Sequence, residues 1–451
     1  MLFVFTLHTI VLADEQDIYN HYEDIKHIEF NLPKNLIPGL QVINQSLSMD
    51  KAITIGIEKN LGLQVVETEI MVRGKMLEEA QAQRWPVISI GSLSFLRGGN
   101  NQTLMTPETM MNTVDTTFFE DLNLTGRIPL FTGGRIKNSI NAAKSSLEGS
   151  EESRKQAIVD TAFQIKEAYL TGQLSQAEHL VHQQHLKIQE TLLKNSEARY
   201  KVGQGLKADV LRIKTEIANA QKLLNEQHIK LNNAMYELKA VMGIDLGSDI
   251  KVTDNLEMHL WTGPNELDLL THQALTNHPK ILEMEKQIDE AEYQIKIAKS
   301  QYLPQVYGQV TGNLRFPDRP EAMGDGVITM VTVSLPLFDK KRSAEVARSL
   351  ANLNKTKQTL KAQQIEIGKK VAQACNELQF ARENVTLLEA SVEQSKEDLR
   401  LIQRRYEVGR AIVVEVQDAA WQLRQSQLDK TLAIFNHEMA QAKLLQALGK
   451  I

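Results

Sequence analysis

Apolar residues along this chain follow two different periods, and the change from one to the other divides it into segments. Some segments carry narrow apolar seams stepped by three and four residues. Ile281, Met284, Ile288, Ala291, Ile295, Ala298 and Tyr302 form one such seam, and Val385, Leu388, Val392, Ser395, Leu399, Ile402 and Tyr406 form another. This spacing predicts helices packed side by side, with broad polar flanks left to water. Other segments alternate residue by residue. In 327–337, Val327, Thr329, Val331, Val333 and Leu335 share one face, while Ile328, Met330, Thr332 and Ser334 share the other. In 122–130, Leu122, Leu124, Ile128 and Leu130 lie opposite Asn123, Thr125 and Arg127. With 87–95 and 305–311 these make four predicted strands. One apolar face per strand suits a transmembrane barrel wall, and it suits a soluble sandwich equally.

Proline placement shows how the segments are arranged. None of the 11 prolines lies between Pro129 and Pro264 or after Pro336. Both proline-free stretches are rich in Ala, Leu, Gln, Glu and Lys, which favour helix. Each is interrupted midway by glycine, at Gly203-Gln204-Gly205 and at Gly409. This predicts two long helical hairpins. A helix from Arg135 to Val202 would run roughly 100 Å, so it must lie against other helices rather than inside a compact globule.

The two stretches align with each other. Ile128-Pro-Leu-Phe131 matches Leu335-Pro-Leu-Phe338, Arg199-Tyr-Lys-Val-Gly203 matches Arg405-Tyr-Glu-Val-Gly409, and Ala240-Val-Met-Gly243 matches Gln446-Ala-Leu-Gly449. Upstream, Ala80-Gln-Ala-Gln-Arg-Trp-Pro86 corresponds to Ala298-Lys-Ser-Gln-Tyr-Leu-Pro304. Four landmarks in one order indicate an internal duplication, each copy reading helix, strand, strand, long helical hairpin. The expected fold is mainly α with a small β part. Its expected units are a signal-peptide remnant at 1–13, an N-terminal strap at 14–51, a first repeat at 52–243, a linker at 244–268 and a second repeat at 269–451.

Composition narrows the function classes. With 24% charged and 42% hydrophobic residues the chain is neither disordered nor conventionally membrane-helical. A net charge of −5 gives no reason to expect nucleic acid as a partner. The single cysteine, Cys375, excludes an intrachain disulfide, and its mid-helix position predicts a small buried hydrophobe. Met1 to Ala13 is an apolar run with a plausible cleavage site after Val11-Leu12-Ala13, although the positive n-region is missing. Elsewhere no stretch approaches the ~20 apolar residues of a spanning helix, so any membrane crossing would need strands in a closed barrel. Four strands cannot close a barrel with a lumen, which makes oligomerisation a condition of that possibility.

The duplicated architecture, the Pro-Leu-Phe strand ends and the tips Tyr200-Lys-Val-Gly-Gln-Gly-Leu-Lys-Ala-Asp-Val210 and Tyr406-Glu-Val-Gly-Arg-Ala-Ile-Val-Val-Glu-Val416 resemble the TolC-like outer-membrane factors. Ser48-Met-Asp-Lys-Ala-Ile53 looks like that family's first helix start, with Ser48 as N-cap. The likeness covers about Ser46 to Lys450. It implies a homotrimer whose strands form one 12-stranded barrel in the outer membrane of a Gram-negative bacterium, continuous with an α-helical tunnel through the periplasm. Residues 14–47 and 244–266 would form a belt around the tunnel's middle. The implied function is the passive exit duct of a tripartite efflux pump or type I secretion system. Its implied partners are outer-membrane lipid, a periplasmic adaptor protein and an inner-membrane transporter.

The same resemblance assigns roles at the tips. Glu415 and Asp418 match the constriction carboxylates; three residues apart, they lie on one helix face. Asp209, Tyr406 and Arg410 match, the last only approximately, a lock that holds the closed state. Gly203, Gly205, Leu206, Gly409 and Ile412 fall where the adaptor docks. Arg127 is expected to point into the barrel lumen.

Other candidates carry less. His179, His182 and His185 recur every three residues, but this spacing winds them around a helix, so a solvated face is expected rather than a metal row. No phosphate loop, nucleophile motif or zinc signature appears, and nothing calls for a cofactor or an enzyme activity. A non-transporting periplasmic coiled-coil scaffold is the alternative function; it explains the helices but not the repeated strand pairs. A helical enzyme using Glu415 and Asp418 as acid and base is a further one, without a recognisable pocket.

Overall fold

A computed structural model describes residues 45–100, 114–264, 266–316 and 326–450. The expected export segment 1–13, and the strap before residue 45, lie outside the described residues.

One succession of elements occurs twice. After the short strand β1 (Gln45–Leu47), helices α1 (Met49–Lys59) and α2 (Leu61–Ala82) lead into strands β2 (Val87–Asn100) and β3 (Val114–Phe131), then into α3 (Arg135–Lys201) and α4 (Lys207–Met242). After β4 (Ile250–Val252), helices α5 (Leu267–Asn277) and α6 (Pro279–Ser300) lead into β5 (Gln305–Phe316) and β6 (Gly326–Ser334), then into α7 (Lys340–Glu407) and α8 (Val413–Ala447). The long helices contain 67 and 68 residues, which makes each about 100 Å long. Among the described residues no helix is long and apolar enough to cross a membrane.

Helices of this length cannot share one core, and burial is instead divided among clusters along them. Near the tips, Leu192, Ile213, Leu399, Tyr406, Val413, Val416 and Leu423 pack together. Midway, Leu47, Ala52, Ile165, Tyr169, Leu238 and Met242 form a second cluster. A third joins Leu270, Ile281, Ile367, Val371 and Leu444. The expected seam on α6 is buried at Ile281, Met284, Ala291, Ile295 and Ala298, whereas Tyr302 lies beyond the helix and is exposed. On α7 the seam is buried only at Val385, Leu399 and Tyr406.

The linker is tied down by polar contacts. β1 pairs in parallel with β4. The Tyr169 hydroxyl on α3 reaches the Leu47 carbonyl and a carboxylate oxygen of Asp254, both at 2.9 Å. Burial, with the Asp254 carboxylate beside it, pushes the Tyr169 phenol well above its ordinary pKa. Asp254 also accepts from the Met49 N–H at 3.0 Å. Ser48 does occupy the N-cap position, but its side chain makes no cap bond there; the linker carboxylate satisfies the helix end instead. Accordingly α1 begins inside the segment assigned to the strap.

The four larger strands form one antiparallel sheet in the order β2-β3-β5-β6, so the two halves join through β3 and β5. Three strands run beyond their expected ends. In β2, Gly98 still pairs with Thr116, because ladder bonds need only backbone and continue where side-chain alternation stops. β6 closes at Ser334 rather than at Leu337, just short of Pro336, which lacks an N–H to donate. Pro129 interrupts β3 for the same reason, and the register shifts between Pro129 and Phe131.

Candidate functional site

Both helical tips are built in the same way. At the first, the Gly203 N–H donates to the Tyr200 carbonyl at 3.0 Å and the Gln204 N–H to the Arg199 carbonyl at 2.8 Å. At the second, Gly409 donates to Tyr406 at 3.0 Å and Arg410 to Arg405 at 2.7 Å. These paired bonds satisfy carbonyls that a helix end leaves free, and they require a left-handed residue. Gly203 and Gly409 supply it, with φ of 78° and 75°. Gly205 serves otherwise: a Cβ there would sit 3.1 Å from the Tyr200 nitrogen. Leu206 and Ile412 occupy the matching N-cap positions before α4 and α8, and both side chains are exposed.

The tips differ in their tyrosines. Tyr406 is only 8% exposed, while Tyr200 is 45% exposed. Tyr406 packs in the tip cluster, and Arg199 from the end of α3 covers its ring. Its guanidinium carbon lies 4.9 Å from the centroid of the Tyr406 ring, and one of its N–H groups donates to the Tyr406 carbonyl. A charge over the ring face is attracted to the ring's negative quadrupole. Arg199 therefore joins the two hairpins, and sequence inspection missed it as a partner. The signal was present in the repeated Arg-Tyr pair before each glycine, which served only as an alignment landmark.

The residues matched to the family lock are not joined within the chain. Tyr406 is held by Arg199. Among the described residues Asp209 makes no side-chain hydrogen bond or ion pair with Tyr406 or Arg410; it lies half-buried in the first turn of α4. The Arg410 carbonyl accepts from Arg405 at 3.2 Å, and the Arg410 side chain is exposed.

Glu415 and Asp418 lie on one side of α8, away from Val413, Val416, Ala419 and Ala420, which are buried in the tip cluster. Arg405 stands 4.0 Å from the Glu415 carboxylate. Asp418 is exposed, without a hydrogen bond or ion pair among the described residues.

The sheet has an apolar face and a mixed face that carries its polar residues, since partners in an antiparallel ladder share a side. Leu124 pairs with Ile90 and with Gly312, which in turn pairs with Val327. Ile128 pairs with Gly308, and Gly308 with Val331. This apolar face is uncovered: Ile90 is 70%, Val327 74% and Val331 63% exposed. On the opposite face Arg127 pairs with Gln309, Thr125 with Thr311 and Asn123 with Asn313, and the exposed Val87, Met330 and Ile328 share that face. There the Arg127 guanidinium lies 4.1 Å from the centre of the Tyr307 ring. The Tyr307 hydroxyl donates to the Gln305 side chain at 3.0 Å, and Gln309 donates to the Thr311 hydroxyl at 3.2 Å.

Two side-chain expectations are corrected. The histidine row is not a solvated face: His185 is 2% exposed, and His179 and His182 are half-buried. His185 shares a stripe with Val181, Gln189 and Leu192, all buried, so the helical period carries it inward. Burial, reinforced by the nearby Arg424 charge, pushes its imidazole down to about 4. Cys375 is half-buried rather than buried, packed beside the third core cluster, and burial raises its thiol pKa.

A family model described as outer membrane efflux protein matches residues 56–244 and again residues 270–450. The chain belongs to the outer membrane efflux protein family. The resemblance to TolC-like factors is thereby borne out. Outer membrane efflux protein BepC of Brucella suis biovar 1 (strain 1330) is 23% identical over 327 residues, 71% of this chain and 70% of that protein. Among solved structures, the Campylobacter jejuni CmeC outer membrane channel superposes with a TM-score of 0.77 at 12% identity, covering 89% of this chain and 85% of that one. The open state of the Neisseria gonorrhoeae MtrE outer membrane channel gives 0.74 at 16% identity, covering 89% of each chain. At these identities the two structures speak for the fold, and the family match speaks for the relationship. The family is one of efflux channels rather than enzymes.

Proposed function

We propose that three copies of this chain form the exit duct of a tripartite efflux pump or type I secretion system. In this reading the sheet crosses the outer membrane and the helices line a periplasmic tunnel that the tips close. The observation that carries it is the sheet, with an uncovered apolar face backed by a mixed face that holds its polar side chains. In water such an apolar face would be a liability, whereas against lipid it is the stable arrangement. The mixed face, with Arg127 over Tyr307, would line the lumen. Four strands with free edges at β2 and β6 cannot close alone, and three copies give twelve strands and no edge.

At the other end, Glu415 and Asp418 from three chains would gather six carboxylates around the pore and favour cations. Asp209, Tyr406 and Arg410 remain candidates for a lock made with a neighbouring chain. Gly203, Gly205, Leu206, Gly409 and Ile412 form the rim proposed to meet a periplasmic adaptor, which would link the duct to an inner-membrane transporter. The linker 244–268 and the strap would belt the tunnel.

Membrane fractionation tests the proposal. The protein is expected in the outer-membrane fraction as a trimer that survives detergent until heated. A monomer in the soluble fraction would overturn it in favour of a scaffold.

A further inference from the structure

The two tips obey the same sequence rule but are unequally satisfied. Arg199 and Tyr200 precede Gly203 as Arg405 and Tyr406 precede Gly409. Within the chain, only half of the possible cross-pairs is made. Arg199 covers Tyr406, donates to its carbonyl and stands beside Gly409, where an added Cβ would meet an Arg199 nitrogen at 3.4 Å. The counterpart positions are open. Tyr200 is exposed, and an added Cβ at Gly203 would meet nothing within 4 Å. Arg405, the counterpart of Arg199, has a side chain 58% exposed, held among the described residues by the Arg410 carbonyl and, at 4.0 Å, by Glu415.

The same imbalance runs up the long helices. α3 buries residues from Ile136 to Ser196, whereas α7, its equivalent, buries none before Ile367. Leu350, Ile365, Phe380, Leu387 and Leu401 on α7 stay exposed. α3 is covered by α6 and α8 of the second half, with Lys286 on Glu148 at 2.7 Å and Gln446 on Asp160 at 2.8 Å. The helices that would cover α7 by the same rule are α2 and α4, whose Val65, Met76, Leu211 and Ile229 are also exposed. Within a single chain α2 and α4 pack on α3, and the strand order β2-β3-β5-β6 sets them at the opposite edge from α7. A second copy can.

We propose that Arg405 of one protomer covers Tyr200 of the next, its guanidinium over the ring and donating to the Tyr200 carbonyl, as Arg199 does at Tyr406. The proposal rests on the trimeric duct and specifies its contact between chains at the tips. The occupant of the open face is another copy of this chain because the covered face already displays the complementary surface in the same sequence. The tip ring then holds six arginine–tyrosine links, three within chains and three between them, and every hairpin is fastened on both sides.

Replacing Tyr200 by the photoreactive p-benzoylphenylalanine tests this in the full-length protein. The residue is exposed in the isolated chain, so the substitution leaves the fold intact. Trimers are assembled from mixed light and heavy-nitrogen protomers, irradiated, and the crosslinked peptides are identified by mass. The expected product joins position 200 to the end of α7 around Arg405, in mixed light–heavy pairs. The same probe at Tyr406 is expected to reach the Arg199 segment of its own chain, in unmixed pairs. A trimer in which position 200 bonds only within its own chain, or to another segment of its neighbour, overturns the contact and leaves the duct standing. A protein that is monomeric in mild detergent overturns both.

Discussion

Arg199 and His185 show how single side chains set properties that composition does not reveal. Arg199 contributes a hydrogen bond and a ring contact that hold one hairpin against the other. Losing a partly desolvated cation–π contact costs about 1 kcal/mol, or roughly fivefold in a closed-to-open ratio. Arg199→Ala is therefore expected to raise channel conductance in planar bilayers, and wild-type conductance in that variant would remove Arg199 from the closed state. His185 acts through pH. Its folded pKa of about 4 lies below the ordinary value of 6.5. Between those values the unfolded chain holds the proton and the folded chain does not, so stability falls as pH drops through that window. His185→Leu is expected to flatten the acid side of a plot of Tm against pH. The slope should shrink rather than vanish, because burial also lowers the pKa values of His182 and His278.

At the scale of elements, the hairpin reversals depend on backbone that only glycine adopts readily. Gly203→Ala and Gly409→Ala each place a Cβ on a left-handed residue, at a cost of about 1–2 kcal/mol. They differ in surroundings: the first meets open space, while the second meets Arg199 at 3.4 Å. Hydrogen exchange is expected to show both tips less protected, with the larger loss in the Gly409 variant, which also disturbs the arginine–tyrosine link. Equal losses would mean that the Arg199 contact adds nothing to the second tip. These elements were largely legible beforehand. Helix-forming composition, absent proline and a midway glycine placed α3 and α7 almost to their ends. The strand lengths were less legible, since backbone pairing through Gly98 leaves no alternation to detect.

At the scale of the whole molecule, the proposed assembly would give meaning to the distribution of charge and apolar surface. Glu415 and Asp418 are ordinary solvated acids in one chain, and threefold symmetry would turn them into a ring. Like charges brought close repel one another and draw cations. Glu415→Ala combined with Asp418→Ala is expected to lower cation selectivity, read as a shift in reversal potential across a salt gradient. An unchanged potential would place the constriction elsewhere. In the proposed duct, lipid would likewise cover the exposed Val327, Val331 and Ile90.

The sequence by itself determined the elements and their doubling, because period, proline and glycine are local properties that each segment carries without its neighbours. It also held the tip chemistry as residue types, down to the repeated Arg-Tyr pair. Only the tertiary structure decided which of those residues meet. It turned His185 inward, gave Asp254 rather than the Ser48 side chain the capping of α1, and set Arg199 on Tyr406 while leaving Arg405 and Tyr200 open. These are contacts between segments up to 207 residues apart, and no local pattern encodes which of two equivalent partners a side chain will find. That choice follows from how long helices lie against one another, which burial and backbone geometry settle over the whole chain.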